Sequence, residues 1–542
     1  MTKIAEKPNS SRRTFALGVF FLTVSNVLTK LCGLFLKVPL TNTLGDTGMA
    51  YFNLAYAVYK WFYMISTAGL PIAAAVLTAR YTETADRGAR GAALLRVRNV
   101  TLGAFCAVGL VGSLCMYAGA PVFAALQGVE DAAASIAAIA PALFFICIAS
   151  ALRGWYQGLG SLFPASLSQV TEACAKMVCG LCFGAYAIGR GYPVYTVAAY
   201  AILGLTVGCL LGMLVMLAAL PIIHKKHGIP LGKCLVPVHP ERALSRRHLL
   251  RELLRIAIPV TLSASVLSLC DMLDSMIVIR RMCGAGMAEA DALRLYGNYT
   301  ALAVPMFNLP PILIYPVTTA LIPVVTAAFA DESDAGQHRR EQIIRISVSA
   351  AGYIALPCAA GMSAMAEPLL RLLYRDDLAA TGAPMLKILA VAVVFLSLLA
   401  MTNAILQAAD KARYPVYSIC AGAVVKLVSS WILTGIPGCG ILGTPLSTVL
   451  CYLTMAVFNL VFVVRTTGVA LPFLRMFGKS AVCAVLCAVA ANGAYTLFLG
   501  RMPEIFGTLG AVCIGAVTYL CTMIAVRGVD GEVVKVLLRG RR

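Results

Sequence analysis

Residues 23–60 read TVSNVLTKLCGLFLKVPLTNTLGDTGMAYFNLAYAVYK, a mostly apolar stretch that nevertheless carries three lysines. On a helix, Lys30 and Lys37 share one face with Thr23, because residues seven apart lie on the same side. A lysine near the centre of a bilayer costs about 3 kcal/mol or more on insertion scales, so such residues normally face a protein interior or a water-filled cavity. The stretch therefore predicts two membrane helices that present cations to a cavity suited to an anion.

The composition places the whole chain in the membrane class. Of its 542 residues, 60% are hydrophobic and 13% are charged, which is outside the range of soluble domains. The first apolar segment contains lysines and lacks a cleavage site, so we expect a span and not a signal peptide. We predict an all-α polytopic protein of about fourteen transmembrane helices, at 15–40, 50–79, 100–119, 134–158, 162–189, 194–223, 253–282, 296–327, 343–365, 384–408, 414–436, 440–464, 476–499 and 506–526. A turn at 42–46 separates the first two spans, and the second is broken near Gly69-Leu70-Pro71.

The net charge of +20 is explained by orientation in the membrane. With both termini inside, the predicted inner segments hold 29 of the 44 Lys and Arg residues, and the outer segments hold eight. This asymmetry follows the positive-inside rule and places both termini in the cytoplasm. Nucleic acid is therefore a poor explanation of the charge.

Residues that could carry enzyme or metal chemistry are not arranged for it. Most of the 19 cysteines lie in apolar spans, and the four histidines between 224 and 248 have irregular spacing. No phosphate-binding loop, zinc motif or nucleophile elbow is present. We expect a transporter and not an enzyme, with no metal and no cofactor beyond a coupling Na⁺ or H⁺.

The two halves of the chain contain similar sequence blocks about 250 residues apart. The block that begins LRGWYQGLG at Leu152 returns as TNAILQAAD, so that Gln157 falls on Gln407 and Lys176 on Lys426. An offset of six helices keeps both copies in the same orientation, which predicts parallel pseudo-twofold repeats around a cavity. The predicted segments are a cytoplasmic tail at 1–14, an N-lobe at 15–223, a basic cytoplasmic linker at 224–252, a C-lobe at 253–465, two further helices at 466–527 and a basic cytoplasmic tail at 528–542.

Charged residues within other spans are further candidates. Asp271 and Asp274 lie three apart in span seven, and a carboxylate at this depth is paired, protonated or bound to a cation. Lys426 in span eleven is a possible counter-charge, so both structural ion pairing and Na⁺ or H⁺ coupling stay open. Glu172 and Lys176 are four apart in span five, a spacing that favours an intrahelical pair, with substrate contact as the alternative.

Several blocks resemble a known family when they are taken in order. KLCGLFLKVPLTNTLGDTG, RGWYQGLGSLFPASLSQVTE and ILQAADKARYPVYSICAGAVVKLV are similar to blocks of the stage V sporulation protein B and polysaccharide-biosynthesis flippase family. The resemblance covers about 15–465. That family belongs to the multidrug/oligosaccharidyl-lipid/polysaccharide (MOP) exporter superfamily, with the lipid II flippases. The resemblance implies a MATE-like fold, a bacterial cytoplasmic membrane, and alternating access for undecaprenyl-diphosphate-linked saccharide precursors, foremost lipid II for peptidoglycan.

The resemblance also implies roles for individual residues. Lys37 and Lys60 align with basic residues that lipid II flippases place in the cavity, although Lys37 could instead snorkel to the interface. Where that family has an arginine early in span eight, this chain has Asn298, so span seven would supply the missing charge. The expected substrate-binding set is Lys30, Lys37, Asn53, Lys60, Arg280 and Arg281.

Two other functions fit the same sequence. One is a MATE-type exporter of drugs or organic ions, although a basic cavity argues against cationic drugs. The other is a non-transporting membrane scaffold for cell-wall synthesis enzymes, which would also be the protein partners of a flippase. Vegetative and sporulation-linked roles are both compatible with the residues.

Overall fold

The structure is a computed structural model, and it describes residues 8–82, 87–229, 245–314, 318, 325–326, 328–329, 333–411 and 413–526. Every regular element in these ranges is helical. The helices are α1 (Pro8–Thr67), α2 (Leu70–Thr82), α3 (Arg87–Ala118), α4 (Ala120–Gln127), α5 (Ala132–Gly158), α6 (Phe163–Gly189), α7 (Val194–Ala218), α8 (Leu220–His227), α9 (Arg246–Gly284), α10 (Glu289–Asn298), α11 (Val304–Phe307), α12 (Asp334–Ala364), α13 (Ala366–Arg371), α14 (Asp376–Ala408), α15 (Arg413–Thr434), α16 (Gly443–Thr467), α17 (Phe473–Phe498) and α18 (Glu504–Ala525). A π-helical turn, Tyr299–Ala303, separates α10 from α11.

The chain divides into two compact units, Met1–Met276 and Ile277–Arg542. The division falls inside α9, so the first part of this helix packs with the first unit. Of the predicted linker and tails, residues 1–7, 230–244 and 527–542 lie outside the described residues. The lobe boundaries drawn from the sequence stay predictions.

Two interruptions shape the N-terminal helices. Gly45 has φ 70° and ψ −172° and kinks α1 within the predicted turn at 42–46. Glycine suits this position because its lack of a Cβ permits positive φ. The chain breaks again between Thr67 and Leu70, one residue before Pro71, where the sequence predicts an interruption. The kinked α1 together with α2 therefore accounts for the first two predicted spans.

The described residues contain eleven helices that are long and apolar enough to cross a membrane. The number becomes twelve if α9, which bends by 45° between Leu262 and Ala264, counts as one span. The all-α polytopic prediction is confirmed, whereas the number fourteen is not. Part of the predicted span at 296–327 lies outside the described residues.

Helix boundaries reproduce the repeat seen in the sequence. The last residues of α5 and α14, Gly158 and Ala408, are 250 positions apart, and so are Phe163 and Arg413, where α6 and α15 begin. Each unit thus contains the same succession of helices with the same spacing. This agreement confirms the predicted internal repeat.

Close contact between α2 and α5 explains the glycines of the block RGWYQG. A Cβ on Gly154 would lie 2.5 Å from the carbonyl oxygen of Pro71, and one on Gly158 would lie 2.5 Å from that of Ala75. Glycines four apart let two membrane helices approach until their backbones touch. The buried Trp155 indole between them donates to the Leu94 carbonyl at 3.1 Å. These contacts hold the neighbouring Arg153 in place.

Candidate functional site

Lys60 in α1 forms an ion pair with Asp271 in α9. Its Nζ lies 2.7 Å from Asp271 Oδ2, and each side chain is 39% exposed. Ion pairs with this degree of exposure contribute about 0–1 kcal/mol, because water competes for both partners. The pair is therefore weakly held and open to another ligand.

Lys37 lies on the N-terminal half of α1, before the kink. Its side chain is half-buried, and Lys60 is a charged group close enough to interact with it electrostatically. Within the described part of the chain, no carboxylate pairs with Lys37. A cation in a membrane helix whose charged neighbour is another cation is poorly compensated.

The other two predicted substrate-binding residues of α1 are Lys30 and Asn53. The side chain of Lys30 lies outside the described residues. Asn53 is buried, and its Nδ2 donates to the Met49 carbonyl at 2.9 Å. Its amide is therefore bound to its own helix, and its substrate contact stays a prediction.

A buried charge cluster joins α5 and α6. Arg153 Nη2 lies 2.7 Å from Glu172 Oε2, and Lys176 Nζ lies 2.6 Å from Glu172 Oε1. One carboxylate thus serves two cations, which leaves the cluster with a net charge of +1. Removing one member of such a buried set typically costs about 3–5 kcal/mol, because its partner is left uncompensated.

Helix α7 packs directly on this cluster. A Cβ on Gly208 would lie 2.4 Å from Lys176 Cγ, so only glycine allows the approach. Ser168 Oγ accepts a hydrogen bond from Arg153 at 2.8 Å and donates one to the Gly212 carbonyl at 2.8 Å. The cluster therefore joins α5, α6 and α7, a structural role that suffices to explain it.

In the second unit, neutral side chains take the places of Arg153 and Cys209, whereas Lys426, the counterpart of Lys176, is a buried lysine. Asn459 Nδ2 lies 2.6 Å from Asn403 Oδ1, and Ser418 Oγ donates to Asn459 Oδ1. Asn459 is fully buried. Three positions of the repeat, each 250 residues apart, form the junction in both units: Arg153 with Asn403, Ser168 with Ser418 and Cys209 with Asn459.

The remaining predicted residues differ in how exposed their side chains are. Asp274 and Lys426 are buried, whereas Arg280 is exposed. The guanidinium of Arg281 lies 4.6 Å from the ring centre of Trp431, and its Nε donates to the Trp431 carbonyl at 3.1 Å. A cation–π contact of this kind anchors Arg281 to α15.

Arg153 was not among the residues that the sequence singled out. An arginine within a predicted span is expected to pair with a carboxylate. Because the spacing predicted that Glu172 pairs with Lys176, the sequence left the partner of Arg153 ambiguous. Among the described residues, no group of three His, Cys, Asp or Glu side chains is placed to hold a metal ion.

Two family models match the chain. One, described as polysaccharide biosynthesis protein, matches residues 15–329, which is more than half of the chain. The other, described as MatE, matches residues 300–432.

Three relatives from Bacillus subtilis (strain 168) are similar over most of their length. The uncharacterized membrane protein YabM is 24% identical over 93% of this chain and 91% of its own. Stage V sporulation protein B is 22% identical over 95% and 96%, and the lipid II flippase MurJ is 24% identical over 83% and 82%.

Solved structures with the same fold include two transporters. The lipid II flippase MurJ in an inward closed conformation is 14% identical, with a TM-score of 0.66 over 94% of this chain and 99% of that one. An inward-facing multidrug resistance MATE family transporter of the MOP superfamily is 17% identical, with a TM-score of 0.64 over 81% and 94%. These matches confirm the predicted MATE-like fold.

Proposed function

Because this chain belongs to the polysaccharide biosynthesis protein family, within the MOP superfamily, we propose that it is a flippase for undecaprenyl-diphosphate-linked saccharide precursors. Lipid II is the proposed substrate, since MurJ, a lipid II flippase, is similar over most of both chains. The proposed movement is from the inner to the outer leaflet of a bacterial cytoplasmic membrane, by alternating access of two lobes, with both termini in the cytoplasm.

The observation that carries this proposal is the poorly compensated charge of Lys37. A diphosphate bears negative charge that cannot cross hydrocarbon unaided, and lysine supplies charge-assisted hydrogen bonds to it. With Lys60 in electrostatic range and paired with one half-exposed carboxylate, Lys37 offers a place where an anion meets two lysines and one aspartate. Repulsion by the two lysines would exclude a cationic drug.

The proposal also includes an ion, Na⁺ or H⁺, whose movement drives transport. Asp271 is held by Lys60, so the buried Asp274 is the better candidate for coupling to Na⁺ or H⁺. Contacts with membrane lipids follow from the apolar helices, and partnership with cell-wall synthesis enzymes would place the flippase beside the enzymes that use its product.

Reconstitution in liposomes tests the function. Labelled lipid II is placed in the vesicles, and its access to the outer leaflet is followed with a reagent that cannot cross the membrane. Wild type should transfer the lipid, and a Lys37→Ala/Lys60→Ala variant should transfer it at least about tenfold more slowly, equivalent to 1.4 kcal/mol. The control, Lys225→Ala/Lys226→Ala, removes two exposed lysines of α8 and should behave as wild type.

Two results would contradict the proposal. One is the absence of transfer by wild type, and the other is wild-type transfer by the Lys37→Ala/Lys60→Ala variant. If the chain instead protected cells against cationic dyes, the exporter function would be favoured.

A further inference from the structure

Helix α9 follows the end of α1 and all of α2 in the antiparallel direction. As residue numbers rise along α9, the numbers of its partners fall. Three polar contacts mark this seam: Arg80 with Glu252, the Gly69 amide donating to Thr261 Oγ1 at 3.2 Å, and Lys60 with Asp271 at 2.7 Å.

Gln127 extends the seam beyond the ion pair. Its Nε2 donates to Ser275 Oγ at 3.0 Å and to the Leu54 carbonyl at 3.1 Å. Leu54 lies in α1, so Gln127 bridges α1 to α9 on the far side of Lys60. All of these residues belong to the first unit.

The contacts of the seam differ in how a ligand can reach them. At Gly69, a Cβ would lie 2.1 Å from the Ala257 carbonyl oxygen, so the two backbones touch and leave no space. Gln127 is fully buried. Lys60 and Asp271, by contrast, are each 39% exposed, and Lys60 also lies in the electrostatic range of Lys37. The ion pair is therefore the contact within the membrane region that an anion can enter.

We propose that Asp271 is a counter-ion that the diphosphate of the substrate displaces from Lys60, so that substrate binding itself releases α9 from α1. A diphosphate offers more oxygens and more charge than one carboxylate, and Lys37 attracts it as well. The bound anion also repels Asp271, which pushes the two helices apart. Asp271 is thus a positioning residue, and the inference rests on the proposed binding of a diphosphate at Lys60.

The release has a consequence for the rest of the chain. Asp271 lies five residues before Met276, the last residue of the first unit, and α9 continues without a break into the second unit. The helix that the substrate frees is therefore the covalent connection between the two units. In an empty transporter the ion pair contributes to holding this connection against α1, and in a loaded one the other contacts of the seam hold it without the ion pair.

A double-mutant cycle on lipid II affinity tests the displacement in nanodiscs. Asp271→Asn removes the competing carboxylate, so binding should become about two- to fivefold tighter, the range expected for an exposed ion pair. In a Lys60→Ala background, the same change should tighten binding less, because the ion pair with Lys60 is already gone and only the repulsion between Asp271 and the anion is removed. Asp291→Asn, which changes the net charge equally at an exposed position of α10, should leave affinity unchanged.

The cycle separates this inference from the proposed function. If wild type fails to bind lipid II, the function is wrong. If wild type binds but Asp271→Asn does not tighten binding, or tightens it equally in the Lys60→Ala background, the displacement is wrong. Inorganic pyrophosphate serves as a second probe, since a diphosphate alone should compete with lipid II at this site.

Hydrogen exchange on the wild-type protein provides a readout that needs no variant to fold. Addition of lipid II should speed amide exchange in residues 262–276 of α9, because the helix loses its contact with α1. Slower or unchanged exchange in that segment, with lipid II bound, would overturn the release of α9.

Discussion

Arg153 Nη2 lies 2.7 Å from Glu172 Oε2, whereas Asn403, 250 residues later at the same position of the repeat, accepts a hydrogen bond from Asn459. The position of Arg153 is thus charged in the first unit and neutral in the second, although both units keep a lysine at the next matching position, Lys176 and Lys426. The first junction lies beside the helix that carries Lys60, since Tyr59 OH lies 3.9 Å from Cys209 Sγ.

Glu172→Gln should destabilise the protein strongly. The change leaves the buried Arg153 and the half-buried Lys176 without a carboxylate, so we expect a loss of about 3–5 kcal/mol in unfolding free energy. Thermal unfolding in detergent measures it, with Glu130→Gln, an exposed carboxylate, as the control. Equal melting temperatures for the two variants would contradict the buried cluster.

The hydrogen bonds of Asn459 in the second unit should be less sensitive to substitution. Asn459→Ala leaves the Asn403 and Ser418 side chains without their partner, and an unsatisfied buried polar group costs about 1–3 kcal/mol. Its melting temperature should therefore lie between those of wild type and Glu172→Gln. Asn492→Ala, at an exposed position of α17, is the matched control. A larger loss than that of Glu172→Gln would refute the contrast between the two units.

Gly158→Ala should disrupt the contact between α2 and α5. The new Cβ would lie 2.5 Å from the Ala75 carbonyl oxygen, and overpacking of this kind costs about 1–3 kcal/mol. Gly103→Ala is the matched control, because a Cβ there meets nothing within 4 Å and alanine favours the helix by up to about 1 kcal/mol. Opposite shifts in melting temperature are expected, and a shift in the same direction would argue against the close approach.

Lys37→Met should make the protein more stable and less active. Removal of a poorly compensated cation relieves repulsion with Lys60, for which we expect a gain of about 0.5–2 kcal/mol, as is common when a functional residue is replaced. Transfer of lipid II should fall in the same variant. Lys387→Met, at an exposed position of α14, should shift stability by no more than about 0.5 kcal/mol. A variant of Lys37 that is less stable yet transports normally would favour the snorkelling explanation.

The helical architecture could be predicted from the sequence. Apolar segments of membrane length, the asymmetry of Lys and Arg between inner and outer segments, and a 250-residue echo predicted a polytopic helical protein with an internal repeat. Local chemistry also located the interruption before Pro71 and the turn around Gly45. These features depend on residues near each other in the chain, or on identical residues at a constant offset.

The partners of the charged residues could not be predicted from the sequence in this way. Lys60 and Asp271 are 211 positions apart, and nothing in either local sequence indicates that α9 follows α1 in the antiparallel direction. Likewise, Glu172 has Lys176 as a partner on its own helix, so the sequence does not indicate that Glu172 also pairs with Arg153. Arg153 reaches it from α5, 19 positions earlier in the chain.

Hydrophobicity and the cost of burying a charge act on each residue individually, so the amino-acid sequence suffices to predict a membrane-embedded bundle of helices with cations at membrane depth. Which of those cations are compensated depends on how the helices pack. Helix packing brings distant carboxylates within 3 Å of Lys60 and Arg153 and brings none of the described carboxylates to pair with Lys37. Coulomb energy acts over a few ångströms, so these distances set the buried Arg153–Glu172 pair apart from the proposed substrate site at Lys37 and the exposed Lys60–Asp271 pair.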